Sequence, residues 1–110
     1  MADNVRKTVS LIGFATKAGK LTFGCELTVG NVRKKKKNGV QMMLCASDAS
    51  DNTKKRVYDC GAYYGIPTVT LPISCAELSR ITGKLHAVAV IGVTDDGFRR
   101  AIENSLAQET

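Results

Sequence analysis

The sequence has no apolar run long enough to cross a membrane. Its longest apolar stretch extends only from Ala87 to Val93, whereas a membrane-spanning helix needs about 20 residues. The first residues, Met1 to Lys7, also lack the apolar core of a secretion signal. We therefore expect a cytoplasmic protein that does not insert into a membrane.

Closely spaced metal ligands are also missing. The four cysteines are Cys25, Cys45, Cys60 and Cys75, and no two of them form a Cys-x-x-Cys pair, so a zinc site has little support. A disulfide framework is not expected in the cytosol. We interpret the cysteines as reduced structural thiols, and we predict neither a bound metal nor a cofactor.

The sequence offers few groups for catalysis. Its single histidine, His86, directly precedes an apolar segment, where a surface or packing role is the simpler interpretation. The acidic pairs Asp48/Asp51 and Asp95/Asp96 lie at predicted helix starts, where capping explains them. We therefore predict a non-enzymatic protein and regard a small-molecule enzyme as the least favoured class.

Positive charge is the main compositional feature. Sixteen lysine and arginine residues outnumber ten aspartate and glutamate residues, which gives a net charge of +6. Such an excess attracts phosphate, so nucleic acid is the first partner to test and an anionic membrane surface the second. A role of the excess positive charge in solubility alone is an equally good explanation. The run from Arg33 to Lys37 is the strongest charge feature, although a solvated helix end is an equally common role for such a run.

Helical and strand patterns alternate along the whole chain, which favours one α/β domain over residues 1–110, with helices on both faces of a mixed sheet. This is a three-layer α-β-α sandwich. The predicted helices begin at Asp3 or Asn4, at about Cys25 (ending near Lys37), after Ser50, after Ser74 and after Asp95 or Asp96. The predicted strands are Lys20–Phe23 (an edge strand or a turn), Val40–Ala46, Ile66–Leu71 and Ala87–Val93.

Two helix starts are candidate contact points for nucleic acid. At Gly24, free backbone amides attract anions and the missing side chain permits close approach, with Lys17 and Lys20 flanking the preceding turn. A simple turn is the alternative. Near Ser74, an exposed aliphatic residue is expected to stack on an unpaired base while Arg80 contacts phosphate, although packing in the core is the commoner role for such a residue.

A series of spaced residues resembles a known family. The series comprises Leu11-Ile12-Gly13-Phe14-Ala15-x-Lys17-Ala18-Gly19-Lys20, Gly24, Ala46-x-Asp48-Ala49-Ser50-x-Asn52-Thr53-x-Lys55, Cys60, Ile66-Pro67, Ser74, Glu77-Leu78, Ile81-x-Gly83-Lys84 and Val93-x-Asp95-x-Gly97-Phe98. In this order the chain is similar to the kink-turn-binding ribosomal proteins, namely large-subunit proteins seven-Ae and thirty-e. Within that family it most resembles the bacterial YlxQ-type branch.

The resemblance implies a four-stranded sheet and binding to RNA kink-turns, which are sharply bent duplexes with a bulge followed by sheared G·A pairs. In the family, the start of the second helix enters the groove at those pairs, and the loop before the fourth helix covers a base flipped out of the bulge. We expect a monomer that binds structured RNA, including ribosomal RNA, as a ribosomal or ribosome-associated protein. The candidate RNA-binding residues, expected to form one continuous site, are Lys17, Gly19, Lys20, Gly24, Cys25, Glu26, Leu27, Arg33, Lys34, Ile73, Ser74, Leu78 and Arg80.

The chain departs from the family pattern at the second helix. Where the family favours Gly-x-Asn-Glu-x-x-Lys, this chain has Glu26, Leu27 and Gly30 in place of Asn, Glu and Lys. Glu26 can still accept a hydrogen bond from a base edge, but Leu27 cannot, and Gly30 adds no charge. The alternative function is therefore a ribosome-associated structural or protein-interaction module that has lost specific kink-turn recognition.

Overall fold

The computed structural model describes residues 3–34 and 39–107. Helices and strands alternate along these residues, in the order predicted from the sequence. The elements are α1 (Asp3–Lys17), β1 (Leu21–Phe23), α2 (Cys25–Arg33), β2 (Met42–Cys45), α3 (Asp51–Tyr64), β3 (Thr68–Thr70), α4 (Cys75–Thr82), β4 (Val90–Val93) and α5 (Asp96–Ala107). The second helix ends at Arg33 with Lys34 as its cap residue. The predicted extension through Lys35–Lys37 lies outside the described residues.

The four strands form one mixed sheet in the order β1-β4-β2-β3. Strand β4 is antiparallel to both β1 and β2, whereas β2 and β3 are parallel. Strands β1, β2 and β3 therefore run in one direction and β4 in the other. The prediction of a four-stranded mixed sheet is confirmed.

Alternating side chains of the central strands contribute to two separate hydrophobic cores, one on each face of the sheet. Met42 and Leu44 of β2 contribute to a cluster with Ile12 of α1, Leu78 of α4 and Ile102 of α5. On the opposite face, a second cluster contains Met43, Cys45, Val29, Val32, Val57 and Cys60. Helices α1, α4 and α5 thus cover one face of the sheet while α2 and α3 cover the other, which confirms the three-layer sandwich.

Polar caps begin three of the helices where the sequence indicated them. The Ser50 hydroxyl accepts a hydrogen bond from the Thr53 amide, and the Ser74 hydroxyl accepts one from the Glu77 amide, both at 3.1 Å. Asp95 accepts the amide of Phe98 at 3.0 Å. These bonds satisfy amides that a helix leaves unpaired in its first turn.

A glycine in β4 allows α2 to lie close to the sheet. A Cβ atom added at Gly92 would lie 2.5 Å from Thr22 Oγ1, 2.7 Å from a Val40 methyl and 2.8 Å from a Thr28 methyl. The hydroxyls of Thr22 in β1 and Thr28 in α2 are hydrogen bonded at 2.8 Å above this glycine. Gly92 therefore fixes the depth at which α2 packs.

No helix within residues 3–34 and 39–107 has both the length and the apolar character needed to span a bilayer.

Candidate nucleic-acid interface

Three helices begin at the same edge of the sheet. Because β1, β2 and β3 run in one direction, their carboxyl ends meet there, and α2, α3 and α4 each start just beyond. We call this the upper edge, made of residues 24, 46–50, 71–74 and 84–89 with the first turns of these helices. Each helix start carries a partial positive charge and unpaired amides. The upper edge is therefore a favourable surface for phosphate groups.

The start of α2 lacks the side-chain cap that α3 and α4 possess. Gly24 has φ 94° and ψ 150°, a conformation that favours glycine, and it offers no side chain to the helix. Its amide donates to the Val90 carbonyl at 2.8 Å, and its carbonyl accepts the first helical hydrogen bond from Thr28 at 3.1 Å. The three intervening amides, residues 25–27, therefore have no partner within the helix. Glu26 and Leu27 are exposed beside them.

Glu26 is held by an arginine from the neighbouring helix. Arg56 of α3 donates from Nη1 to Glu26 Oε1 and from Nη2 to Oε2, the second bond at 3.0 Å. The Glu26 side chain remains 82% exposed, so its remaining lone pairs face solvent. The hydrogen bond and charge of Arg56 hold the pKa of Glu26 below its ordinary value. The Glu26 carboxylate is thus an ionised, oriented hydrogen-bond acceptor at the start of α2.

Replacing Arg56 with alanine is expected to raise the pKa of Glu26 towards 4.5, because the variant lacks both the hydrogen-bond donor and the charge. In the wild type, the stabilisation from this pair is present above the unfolded pKa of the carboxyl and is lost as pH falls through the lower folded pKa. Carbon-detected NMR of the Glu26 carboxyl measures the shift. Arg80→Ala is the control, since Arg80 pairs with Glu77. An unchanged titration in Arg56→Ala would contradict the pairing.

The outer face of α2 carries a shallow depression of about 150 Å³, lined by Glu26, Leu27, Gly30, Asn31 and Lys34. Leu27 is 61% exposed at one side of it. Apart from the backbone of its own helix, no described residue has an atom within 4 Å of the position that a Gly30 Cβ would take. A partner can therefore approach the helix backbone closely at this point.

The loop before α4 is tied to the loop after β2. The amide and the hydroxyl of Ser47 both donate to the Ile73 carbonyl, at 2.8 and 3.0 Å. Asp48 Oδ1 accepts the Cys75 amide at 2.7 Å. Burial and the hydrogen bond to Asp48 raise the pKa of the Cys75 thiol to about 11. These bonds fix the start of α4 relative to the start of α3.

The expectation that Ile73 or Leu78 presents an exposed aliphatic side chain is wrong. Ile73 is 6% exposed and Leu78 is fully buried, and both belong to the core beneath α1 and α5. Leu71 and Ile73 point inward in strand-like alternation, which leaves Pro72 between them as the exposed apolar residue of this loop. This alternation of inward and outward side chains is visible in the sequence and favours Pro72 as the exposed residue.

Lys17, Gly19 and Lys20 are exposed but do not lie beside the start of α2. The Lys20 carbonyl accepts the amide of Thr94, beyond the carboxyl end of β4, whereas Gly24 bonds to Val90 at its amino end. Four residues of extended chain separate the two positions by about 13 Å. We call this opposite side the lower edge, made of residues 19–20, 34 and 94–95. The structure therefore separates these residues from the α2 start along β1, and one continuous site that includes them stays a prediction.

Arg33 and Lys34 also lie away from the upper edge. They are at the carboxyl end of α2, which places them about 13 Å along the helix axis from its start. Both are exposed. Of the remaining candidates, Ser74 caps α4 at the upper edge, and Arg80 is exposed and pairs with Glu77 at 2.8 Å.

Other cations, which the sequence did not single out as RNA-binding residues, lie at the upper edge. Lys84 Nζ lies 4.1 Å from the centre of the Phe23 ring, next to Gly24. Lys54 Nζ donates to the Ser47 carbonyl at 2.8 Å. With Arg56, these side chains bring positive charge to the helix starts. Lys84 carried a sequence signal because it belongs to the motif Ile81-x-Gly83-Lys84, whereas Lys54 and Arg56 carried none.

A sequence profile described as the ribosomal protein L7Ae/L30e/S12e/Gadd45 family matches residues 6–103. The chain belongs to this family. RNA-binding protein YlxQ from Enterococcus faecium is 41% identical to it over 97 residues, which cover 88% of both chains. RNA-binding protein YlxQ from Bacillus subtilis (strain 168) is 38% identical over 88 residues, covering 80% of this chain and 83% of that protein. The resemblance inferred from the sequence is confirmed.

A solved structure shows the same fold. A protein of unknown function from Bacillus halodurans is 35% identical to this L7Ae-family chain and superposes with a TM-score of 0.83. The superposition covers 92% of this chain and 97% of that one. The three departures of this family member from the expected pattern, at Glu26, Leu27 and Gly30, lie together around the α2 depression.

The cysteines of this family member are free thiols. Burial raises the pKa of Cys25, Cys45 and Cys60, so these thiols stay protonated near neutral pH and react slowly. Within the described ranges, no group of three or more histidine, cysteine, aspartate or glutamate side chains is placed to hold a metal ion.

Proposed function

We propose that this L7Ae-family protein is a non-enzymatic, cytoplasmic, monomeric protein that binds structured RNA, with kink-turns as its preferred target, at the upper edge of the sheet. The observation that carries the proposal is the open start of α2, where residues 25–27 present unpaired amides beside the exposed Glu26 carboxylate. Family membership and the two relatives named RNA-binding protein YlxQ support it.

The chemistry of the upper edge suits a bent duplex with exposed base edges. The amides of residues 25–27 donate to a phosphate, and the helix dipole stabilises its charge. The Glu26 carboxylate accepts hydrogen bonds from the edge of a guanine or from a cytosine amino group. Arg56 keeps that carboxylate ionised and oriented. Amides and cations thus position the backbone, while Glu26 supplies base specificity.

Exposed apolar side chains provide the remaining contacts. Leu27 covers a sugar or a base face beside the α2 depression. Pro72, in the loop that Ser47 and Asp48 brace, covers an unstacked base. Unstacked bases are a feature of structured RNA that proteins recognise by apolar contact. These roles replace the one that Ile73 and Leu78 cannot fill.

Backbone-amide NMR locates this interface directly. Adding a kink-turn RNA is expected to shift the amide signals of Cys25, Glu26, Leu27 and Cys75, while those of α5 stay unchanged. A straight duplex of equal length is expected to shift the amide signals of the lysine-rich regions and to cause smaller shifts at residues 25–27. Changes confined to α5 and the lower edge would show that RNA binds elsewhere.

Replacing Lys84 with alanine is expected to weaken binding to a kink-turn and to a straight duplex by the same factor, because this lysine contacts phosphate. The slope of log affinity against log salt should become shallower by about one unit. Arg100→Ala is the matched control, since Arg100 pairs with Asp96 in α5, which starts at the lower edge. A loss restricted to the kink-turn, or an unchanged slope, would assign Lys84 a different role.

A second candidate is a ribosome-associated structural or protein-interaction module. Leu27 and Gly30 favour it, because neither can make the base or phosphate contact that the family pattern places there. Under this alternative, co-sedimentation with ribosomal subunits survives Glu26→Gln and Lys84→Ala. Loss of co-sedimentation in both variants would instead favour attachment through the RNA surface.

A further inference from the structure

A second surface lies between α2 and α3, on the face of the sheet that these helices cover. It is an open groove of about 420 Å³ with an apolar floor that includes Val29 and Cys60. Arg56 lines it near the starts of the helices, and Arg33 lines it near their ends. Its volume falls within the range of sites that hold small organic groups.

An exposed aromatic ring forms one side of this groove. Tyr63 is 83% exposed, so its large ring is accessible to a partner. Its ring is packed edge to face against Tyr64, with centroids 4.8 Å apart and planes at 71°. This contact favours one orientation of the Tyr63 ring, which stays exposed.

The charges around the groove match a phosphate backbone. Within residues 3–34 and 39–107, Arg33 makes no ion pair, so its guanidinium is available to a ligand. Arg56 is shared between the groove and the start of α2 through its pair with Glu26. Asp59 is the acidic group of the lining, and it is paired with Lys55 at 3.2 Å. Cations beside an exposed aromatic ring are typical of single-stranded nucleic-acid sites.

We propose that the α2–α3 groove binds unpaired nucleotides that extend from the structured RNA held at the upper edge, with a base stacked on Tyr63 and phosphates on Arg33 and Arg56. This inference rests on the proposed function, because Arg56 makes the groove continuous with the α2 start. Tyr63 lies seven positions after Arg56 in α3, a rise of about 10 Å. That distance accommodates roughly two or three nucleotides at the spacing of a stacked strand.

The test compares one kink-turn RNA with blunt ends against the same RNA carrying a short oligouridine tail on either strand. For the wild type, one of the two tails is expected to raise affinity about tenfold, as stacking of a single base on an aromatic ring does. Tyr63→Ala should abolish that gain and leave the affinity for the blunt RNA unchanged. Tyr63→Phe, which keeps the ring, should retain the gain.

Tyr58→Ala is the matched control, because Tyr58 is exposed on the same helix but lies outside this groove, bonded to Thr70 at 2.8 Å. It should retain the gain from the tail. If neither tail raises affinity, or if the gain survives Tyr63→Ala, the inference is overturned even though the blunt RNA binds. If the blunt RNA itself fails to bind, the proposed function fails instead. If an acidic peptide shifts the NMR signals of Tyr63 while neither tail raises the RNA affinity, the inference is overturned in favour of a protein partner.

Discussion

Introducing Leu27→Glu and Gly30→Lys together is expected to raise the affinity for a kink-turn by about 100-fold. A carboxylate at position 27 gains a hydrogen bond to a base edge, which contributes about 1–3 kcal/mol, and a lysine at position 30 gains a phosphate contact. Both positions are accessible: Leu27 is exposed, and open space surrounds the Gly30 position. Filter-binding titrations at physiological salt measure the change.

The paired control separates recognition from charge. Leu27→Gln with Gly30→Gln occupies the same space without either charge, and it is expected to gain much less. The gain of the charged double variant should largely disappear on an RNA whose G·A pairs are replaced by Watson–Crick pairs. Equal improvement on a straight duplex would show that the added lysine acts by general attraction, and that the α2 start does not recognise the kink.

Replacing Gly92 with alanine is expected to destabilise the fold by about 3 kcal/mol, the upper part of the range for overpacked cores. The new methyl group would lie within 2.8 Å of atoms from β1, the segment before β2, and α2. None of these is the free end of a long side chain, so α2 must move away from the sheet. Urea denaturation followed by circular dichroism measures the loss of free energy of unfolding.

Gly13→Ala in α1 is the control for Gly92→Ala, because no atom of residues 3–34 and 39–107 outside its own helix backbone lies within 4 Å of its Cβ position. It is expected to stabilise the protein by up to about 1 kcal/mol, since alanine favours a helix more than glycine does. Similar effects of the two substitutions would mean that Gly92 does not set the packing depth of α2. RNA affinity of Gly92→Ala, measured on the folded fraction, should also fall as the α2 start shifts.

The local signals in the sequence predicted most of the fold. Ser50 and Ser74 each cap the helix that the sequence predicts, and of the alternatives Asp95 and Asp96 it is Asp95 that caps the last helix. Capping is predictable because it depends on residues only three positions apart. The all-apolar strands β2 and β4 are buried on both faces as their composition indicated. The open start of α2 at Gly24 was likewise visible from one glycine before a helical pattern.

The arrangement of the candidate site depended on contacts that no local pattern encodes. Glu26 and Arg56 are 30 positions apart, and their meeting follows only from the packing of α2 against α3. Proximity in sequence groups Lys20 with Gly24, but an extended strand carries them to opposite edges of the sheet. The position of Ile73 before a helix cap makes it a candidate for base contact, with core packing as the commoner role, and the alternation of Leu71, Pro72 and Ile73 directs it inward.

The most direct test of RNA recognition at the α2 start is a titration of the unmodified protein, at physiological salt, with a kink-turn RNA and with a straight duplex of equal length and charge. Because Glu26 can recognise a base edge while the cations attract both RNAs alike, we expect the kink-turn to bind at least about tenfold more tightly. Equal affinities for the two RNAs would contradict specific recognition by the start of α2.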